Sequence, residues 1–221
     1  MKTLIFTLAL AFSCTLGFSQ NLISMENSSE EPLAKNTALN NAGATKTILT
    51  TADYKTLVKD YTTAIKSTAG TPELYNKRAA AYLALKDYKE AIADYNEVLK
   101  KDKVNYDALY NRGLAKMKTR DFRGGLNDLN RALKITPTDQ EALFYRAVCK
   151  SNLFDNKGAI RDYTTLISLD STNANFYYER GILYYETYNT KAALADWAKI
   201  SDKDPRAAKA IKKYGKELET K

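Results

Sequence analysis

The sequence has no histidine, and only two cysteines, four prolines and one tryptophan in 221 residues. Without histidine the commonest general base and the commonest neutral metal ligand are both missing, so Ser–His and Cys–His nucleophile designs are excluded. Cys14 falls in the first twenty residues, which leaves Cys149 as the one cysteine of the rest of the chain. An internal disulfide and a thiolate zinc cage are therefore both out of reach there. No glycine-rich phosphate loop follows a strand pattern. Carboxylates are plentiful, but the conspicuous ones recur in copies of one setting, whereas a catalytic pair needs two unequal environments. The sequence predicts no enzyme, no cofactor and no metal site.

After its first residues the chain also lacks a long apolar run. Met1-Lys2, the apolar stretch Leu4 to Phe12 and the small and polar residues Ser13 to Gln20 have the three-part layout of a secretory signal peptide over 1–19. Cleavage after Ser19 would leave Gln20 as the new N-terminus, with Gly17 and Ser19 at the small-residue positions. A competing reading makes Cys14 the acylated first residue of a lipoprotein, although Ala11-Phe12-Ser13 resembles a lipobox poorly. Either way the expectation is an exported protein, periplasmic or secreted, or else held to a membrane by lipid. Losing Lys2 lowers the formal charge from +8 to +7. A basic balance raises nucleic acid as a partner, but export argues against it, and a solvated lysine-rich surface accounts for the charge. Residues 20–50, rich in Asn, Ser, Thr, Glu and Ala without a lasting period, read as a flexible tether.

What the sequence does have is a repeat. Asp60, Asp94, Asp128, Asp162 and Asp196 stand 34 residues apart, each followed by a large apolar residue: Tyr61, Tyr95, Leu129, Tyr163 and Trp197. Arg78, Arg112, Arg146 and Arg180 form a second track, each followed by Ala79, Gly113, Ala147 or Gly181. Because the two tracks repeat together, they predict ion pairs or hydrogen bonds that join first and second helices. Within a unit, apolar residues recur at three- and four-residue spacing, as in Tyr75, Ala79 and Tyr82, then Ala91, Tyr95, Val98 and Leu99. That is the pattern of two amphipathic helices in sequence. Asp53, Asp87, Asp121, Asp155 and Asn189 are candidate caps for second helices, with Asp87 and Glu90 in a spacing related to the capping box. Thr71-Pro72 and Thr138-Asp139 mark first-helix starts, and Pro137 and Pro205 mark second-helix ends.

A helix pair with Tyr75, Tyr82, Ala91 and Tyr95 at these spacings resembles the tetratricopeptide repeat family. The last unit, with Tyr177, Gly181, Tyr184, Ala193, Trp197 and Pro205, agrees most clearly. The resemblance covers Thr51 to about Ala207. It implies an all-α, right-handed superhelical solenoid of helix-turn-helix repeats: a half repeat over 51–71, full repeats over 72–105, 106–139, 140–173 and 174–207, and a C-terminal capping helix over 208–221. Lys116 and Lys150 depart from the pattern where aromatics are expected, and Gly125 stands for the usual alanine. Looser packing is expected in those two units.

In this family the first helices line the concave side, where peptides and partner helices lie. Carried over residue by residue, that groove would show Asn76, Ala80 and Leu83, then Tyr110, Leu114 and Met117. It would continue with Phe144, Val148 and Ser151 and end with Tyr178, Ile182 and Tyr185. Glu73, Asp107 and Glu141 would edge it. The resemblance thus implies a non-enzymatic protein-interaction scaffold of a bacterial periplasm or cell envelope, binding a peptide or protein through bulky apolar anchors. No nucleic acid and no membrane span are expected, and peripheral envelope association is compatible with the charge. The alternative is a protein that binds an anionic lipid or glycan surface through the basic C-terminal helix, which carries Lys209, Lys212, Lys213 and Lys216. A chaperone-type carboxylate clamp is disfavoured, since only Asn111 suits it while Glu141 and Tyr145 stand where cations would be needed.

Overall fold

Short polar side chains start the helices. The computed structural model describes residues 49–215, so the expected leader, residues 20–48 of the expected tether and the last six residues lie outside the described residues. Thr50 caps α1 (Thr51–Ser67) in a reciprocal box with Asp53. Asp53 therefore lies inside the first turn and is not itself the cap. Thr71 caps α2 (Pro72–Ala84), with Pro72 in its first turn. There follow α3 (Tyr88–Lys101), α4 (Tyr106–Lys118), α5 (Phe122–Ile135), α6 (Gln140–Asn152), α7 (Asn156–Leu169), α8 (Ala174–Glu186), α9 (Thr190–Ala198) and α10 (Pro205–Tyr214). Asn105, Asp121, Asp139, Asp155, Asn173, Asn189 and Asp204 each accept a backbone N–H in the following helix. Asp87 precedes α3 without such a bond. Pro205 opens α10 and does not close α9, which ends early at Ala198. Among the described residues the chain is all helix, an α-solenoid in which each helix packs on its neighbours in sequence.

The two helices of a unit meet through a small residue on the first and a large one on the second. Gly113 faces Leu129, and a Cβ on Gly113 would stand 3.2 Å from the Leu129 side chain. In the last unit the large residue is Trp197, fully buried, whose indole N–H donates to the carbonyl of Tyr178 at 3.3 Å. A Cβ on Gly181 would fall 2.3 Å from that indole nitrogen, so the wider ring requires glycine opposite it.

The arginine and aspartate tracks meet across these crossings. Arg78, Arg112, Arg146 and Arg180 each give two parallel hydrogen bonds, from Nε and one terminal nitrogen, to the aspartate sixteen residues later: Asp94, Asp128, Asp162 and Asp196. The remaining terminal nitrogen reaches sixteen residues back, to Thr62, Asn96, Asn130 and Thr164. Every arginine thus ties its own second helix to that of the preceding unit, and the buried carboxylates are satisfied by paired, charge-assisted bonds. Asp60 does not share this role. It is exposed, and the position sixteen residues before it is Ala44, so no arginine of the track exists to reach it.

Lys116 and Lys150 do not leave their units loose. In the first and last units Arg78 lies over the rings of Tyr75 and Tyr82, and Arg180 over those of Tyr177 and Tyr184, at 5.7 to 5.9 Å. Lys116 and Lys150 replace the second ring with an ammonium 2.7 Å from the same aspartate that the arginine holds. A shared ion pair takes the place of a cation–π contact.

Candidate partner-binding surface

Tyr110 and Arg112 are two residues apart on α4, about 200° around the helix, so the aromatic track faces away from the arginine track. On the aromatic side adjacent first helices touch directly. Tyr106 and Tyr110 stack at 6.0 Å with rings 9° from parallel, and the Tyr110 hydroxyl donates to Glu141 of α6 at 3.0 Å. Tyr145 meets Tyr110 edge-on at 6.3 Å and Phe144 at 5.4 Å. Burial first, then the neighbouring Tyr145 and Glu141, push the Tyr110 phenol well above its usual range, so it stays a donor at any physiological pH. Glu73 and Glu141 are exposed and Asp107 is half-buried beside this wall, which gives it an acidic edge.

Only part of the expected groove is available to a partner. Leu83 and Leu114 are 2 % and 3 % exposed and belong to the core, although Met117 and Val148, which hold the same places one repeat on, are half-buried. Ser151 is also buried. Phe144 is half-buried and reaches inward, with Tyr163 at 6.0 Å and Phe176 at 6.3 Å. In the last unit α10 covers what would have been groove. The Arg206 guanidinium lies 4.2 Å over the Tyr178 ring, Tyr185 packs on Tyr214 at 4.1 Å, and Ile182 joins the same cluster. The physical cause is that the last repeat has no successor to bury its apolar side. Asn76, Ala80, Tyr110, Met117 and Val148 remain as half-buried side chains, with the outer edge of Phe144 among them.

The profile of the tetratricopeptide repeat matches residues 72–103. That stretch is a tetratricopeptide repeat. Among solved structures this repeat protein is similar to YrrB, described as a TPR protein with an unusual peptide-binding site: 24% identity, 73% of this chain and 84% of that one, TM-score 0.68. It is similar to MamA at 19% identity, 72% and 92% coverage and TM-score 0.66. It also resembles a tetratricopeptide repeat protein from Parabacteroides merdae ATCC 43184 at 22% identity, 69% and 60% coverage and TM-score 0.56. At these identities the likeness is one of fold. No curated protein matches the sequence.

The repeat protein also holds a group that the sequence did not single out. Glu179 on α8 is 7% exposed, and its Oε1 has no hydrogen-bond partner. Burial raises its pKa to about 7 against the opposing pull of Arg206, with Glu186 and Asp204 adding to the rise. Arg206 is engaged elsewhere, in a 2.6 Å pair with Asp204 and a bond to Asn175. The neighbour Arg180 had drawn attention through its period, but Glu179 follows Tyr145 and Asn111 on its own track, so no repeated residue type marks it. Cys149 is buried and its thiol is pushed up to about 12, which makes it a packing residue. Among the described residues no group of His, Cys, Asp or Glu could hold a metal ion, and no helix is long and apolar enough to cross a membrane.

Proposed function

We propose that this protein is a non-enzymatic scaffold, exported to a bacterial periplasm or cell envelope, that binds a peptide or partner protein on its first-helix side. The fold is one used for protein–protein interaction, and the wall formed by Tyr110, Met117, Phe144 and Val148 is the observation that carries the reading. It is aromatic and half-buried, and the Tyr110–Glu141 bond ties two repeats together across it. Such a wall accepts apolar anchors, while Asp107, Glu141 and Glu73 favour basic flanks. A peptide-binding site described for YrrB, which shares the fold, supports a peptide ligand. Export rests on the layout of Met1 to Gln20.

Peptides selected from a random display library on the chain from Gln20 onward test the site. Selected sequences should carry bulky apolar residues beside lysine or arginine and should lose binding to a Tyr110→Ala/Val148→Asp variant that melts like the parent. Selection of binders indifferent to that variant, or of none, would overturn the assignment. Mass spectrometry of the protein secreted by a bacterial host checks export: a chain starting at Gln20 supports it, and an intact Met1 refutes it.

A further inference from the structure

At the turn between the first and second helix of every full repeat, the chain places residues that the local backbone disfavours. Lys86, Arg120, Phe154 and Tyr188 occupy one equivalent position, with φ of 63, 66, 62 and 60°. The turn demands this left-handed conformation: the next residue in each case donates its N–H five residues back, as Asp155 does to the carbonyl of Lys150 at 2.8 Å. Glycine is the residue such a position favours, and a bulky aromatic is the reverse. Three residues later, in second place in α3, α5, α7 and α9, stand Lys89, Arg123, Lys157 and Lys191. These are cations at the positive end of a helix dipole, where a carboxylate would be favoured. All eight side chains are exposed, and among the described residues none of these four cations forms an ion pair. Phe154 is 84% exposed and Tyr188 95%, so both rings stand largely in solvent. Two local penalties, repeated along one edge of the solenoid in all four repeats, do nothing for the fold.

We propose that this edge, centred on Phe154, Lys157, Tyr188 and Lys191, rests on an anionic lipid surface. Exposed rings beside cations are the chemistry of interfacial anchoring: the ring enters the headgroup layer and the ammonium meets lipid phosphate. Two carboxylates stand among them: Asp155 is turned back to accept the N–H of Gly158 at 2.9 Å, and Glu186 accepts from the Asn156 side chain at 3.2 Å. The protruding geometry favours a bilayer over a peptide. Two depressions of about 530 and 400 Å³ lie elsewhere, beside the second helices around Asn96 and Asn130, whereas the edge presents protruding rings and charges. The surface is separate from the first-helix wall, and one molecule can use both.

The test is co-sedimentation of the chain from Gln20 onward, which keeps every described helix, with phosphatidylcholine vesicles with and without phosphatidylglycerol. Two variants remove the edge without threatening the fold. Phe154→Gly/Tyr188→Gly puts the favoured residue at the left-handed position, and Lys157→Glu/Lys191→Glu puts an acid at the helix N-terminus; melts at or above that of the parent verify both. The parent should bind phosphatidylglycerol vesicles, more weakly at high salt, and each variant should bind at least about tenfold less. A Lys209→Glu/Lys212→Glu variant of α10 should bind like the parent. Failure of the parent to bind, unchanged binding by the edge variants, or loss confined to the α10 variant would overturn the proposal.

Discussion

Replacing Glu179 with glutamine removes a charge while keeping the shape, and its effect on stability has a definite sign at each pH. The carboxyl rises from an ordinary 4.5 to about 7 in the folded chain, chiefly by burial. At about 1.4 kcal/mol per pH unit this amounts to a penalty on the order of 3 kcal/mol. Below about pH 4.5 the group is protonated in both states and contributes no penalty. Between 4.5 and 7 the unfolded chain releases the proton while the folded chain keeps it, so stability falls as pH rises. Above about 7 it is ionised in both states and the full cost is present. Glu179→Gln should therefore match the parent at pH 4 and exceed it at pH 8, where a Tm gain of roughly 6–12 °C is expected for a chain of this size. Calorimetry of both proteins from pH 4 to 8 measures the difference, which also cancels the carboxylates that titrate lower, such as Asp204 held down by Arg206. A constant difference across that range, or a variant less stable at pH 8, would refute the reasoning.

Gly181→Ala should cost about 1–3 kcal/mol in urea unfolding, because the new methyl overlaps the Trp197 indole; an unchanged midpoint would mean that the ring moves aside freely. Arg78→Ala should destabilise by about 3–5 kcal/mol, since Asp94 loses its ion-pair partner. Arg146→Ala should cost distinctly less, as Lys150 still holds Asp162, and equal losses would contradict the shared-pair account. Cys149 should resist a thiol reagent at pH 8 in the native chain and react fully in denaturant; prompt native reaction would show that the site is open.

The 34-residue lattice made the framework legible because Arg and Asp keep their identities from unit to unit. The oxygen that each arginine reaches behind it was harder to see: Thr62, Asn96, Asn130 and Thr164 share a function but are split between two residue types. The turn residues Lys86, Arg120, Phe154 and Tyr188 share even less, since what repeats there is a backbone angle. Period alone placed Leu83 and Leu114 on the groove, yet a repeat position does not fix burial: Met117 and Val148 hold the same places one repeat on and are half-buried. Tyr178 and Tyr185 were taken by α10 because an end unit answers to its boundary as well as to its pattern.

The backward reach of the arginines gives the stack a direction. A repeat completes its ion pair by borrowing an oxygen from the repeat before it, and α1 lends Thr62 to Arg78 although its own Asp60 has no arginine to serve. At the other end the loan is not renewed: the next oxygen position is Ala198 and the next arginine position is Tyr214. A fifth repeat, or the leading helix pair of another molecule, would arrive with an arginine and meet a methyl group. The bond by which each repeat holds the one before it thus has no counterpart at the α10 end of the stack.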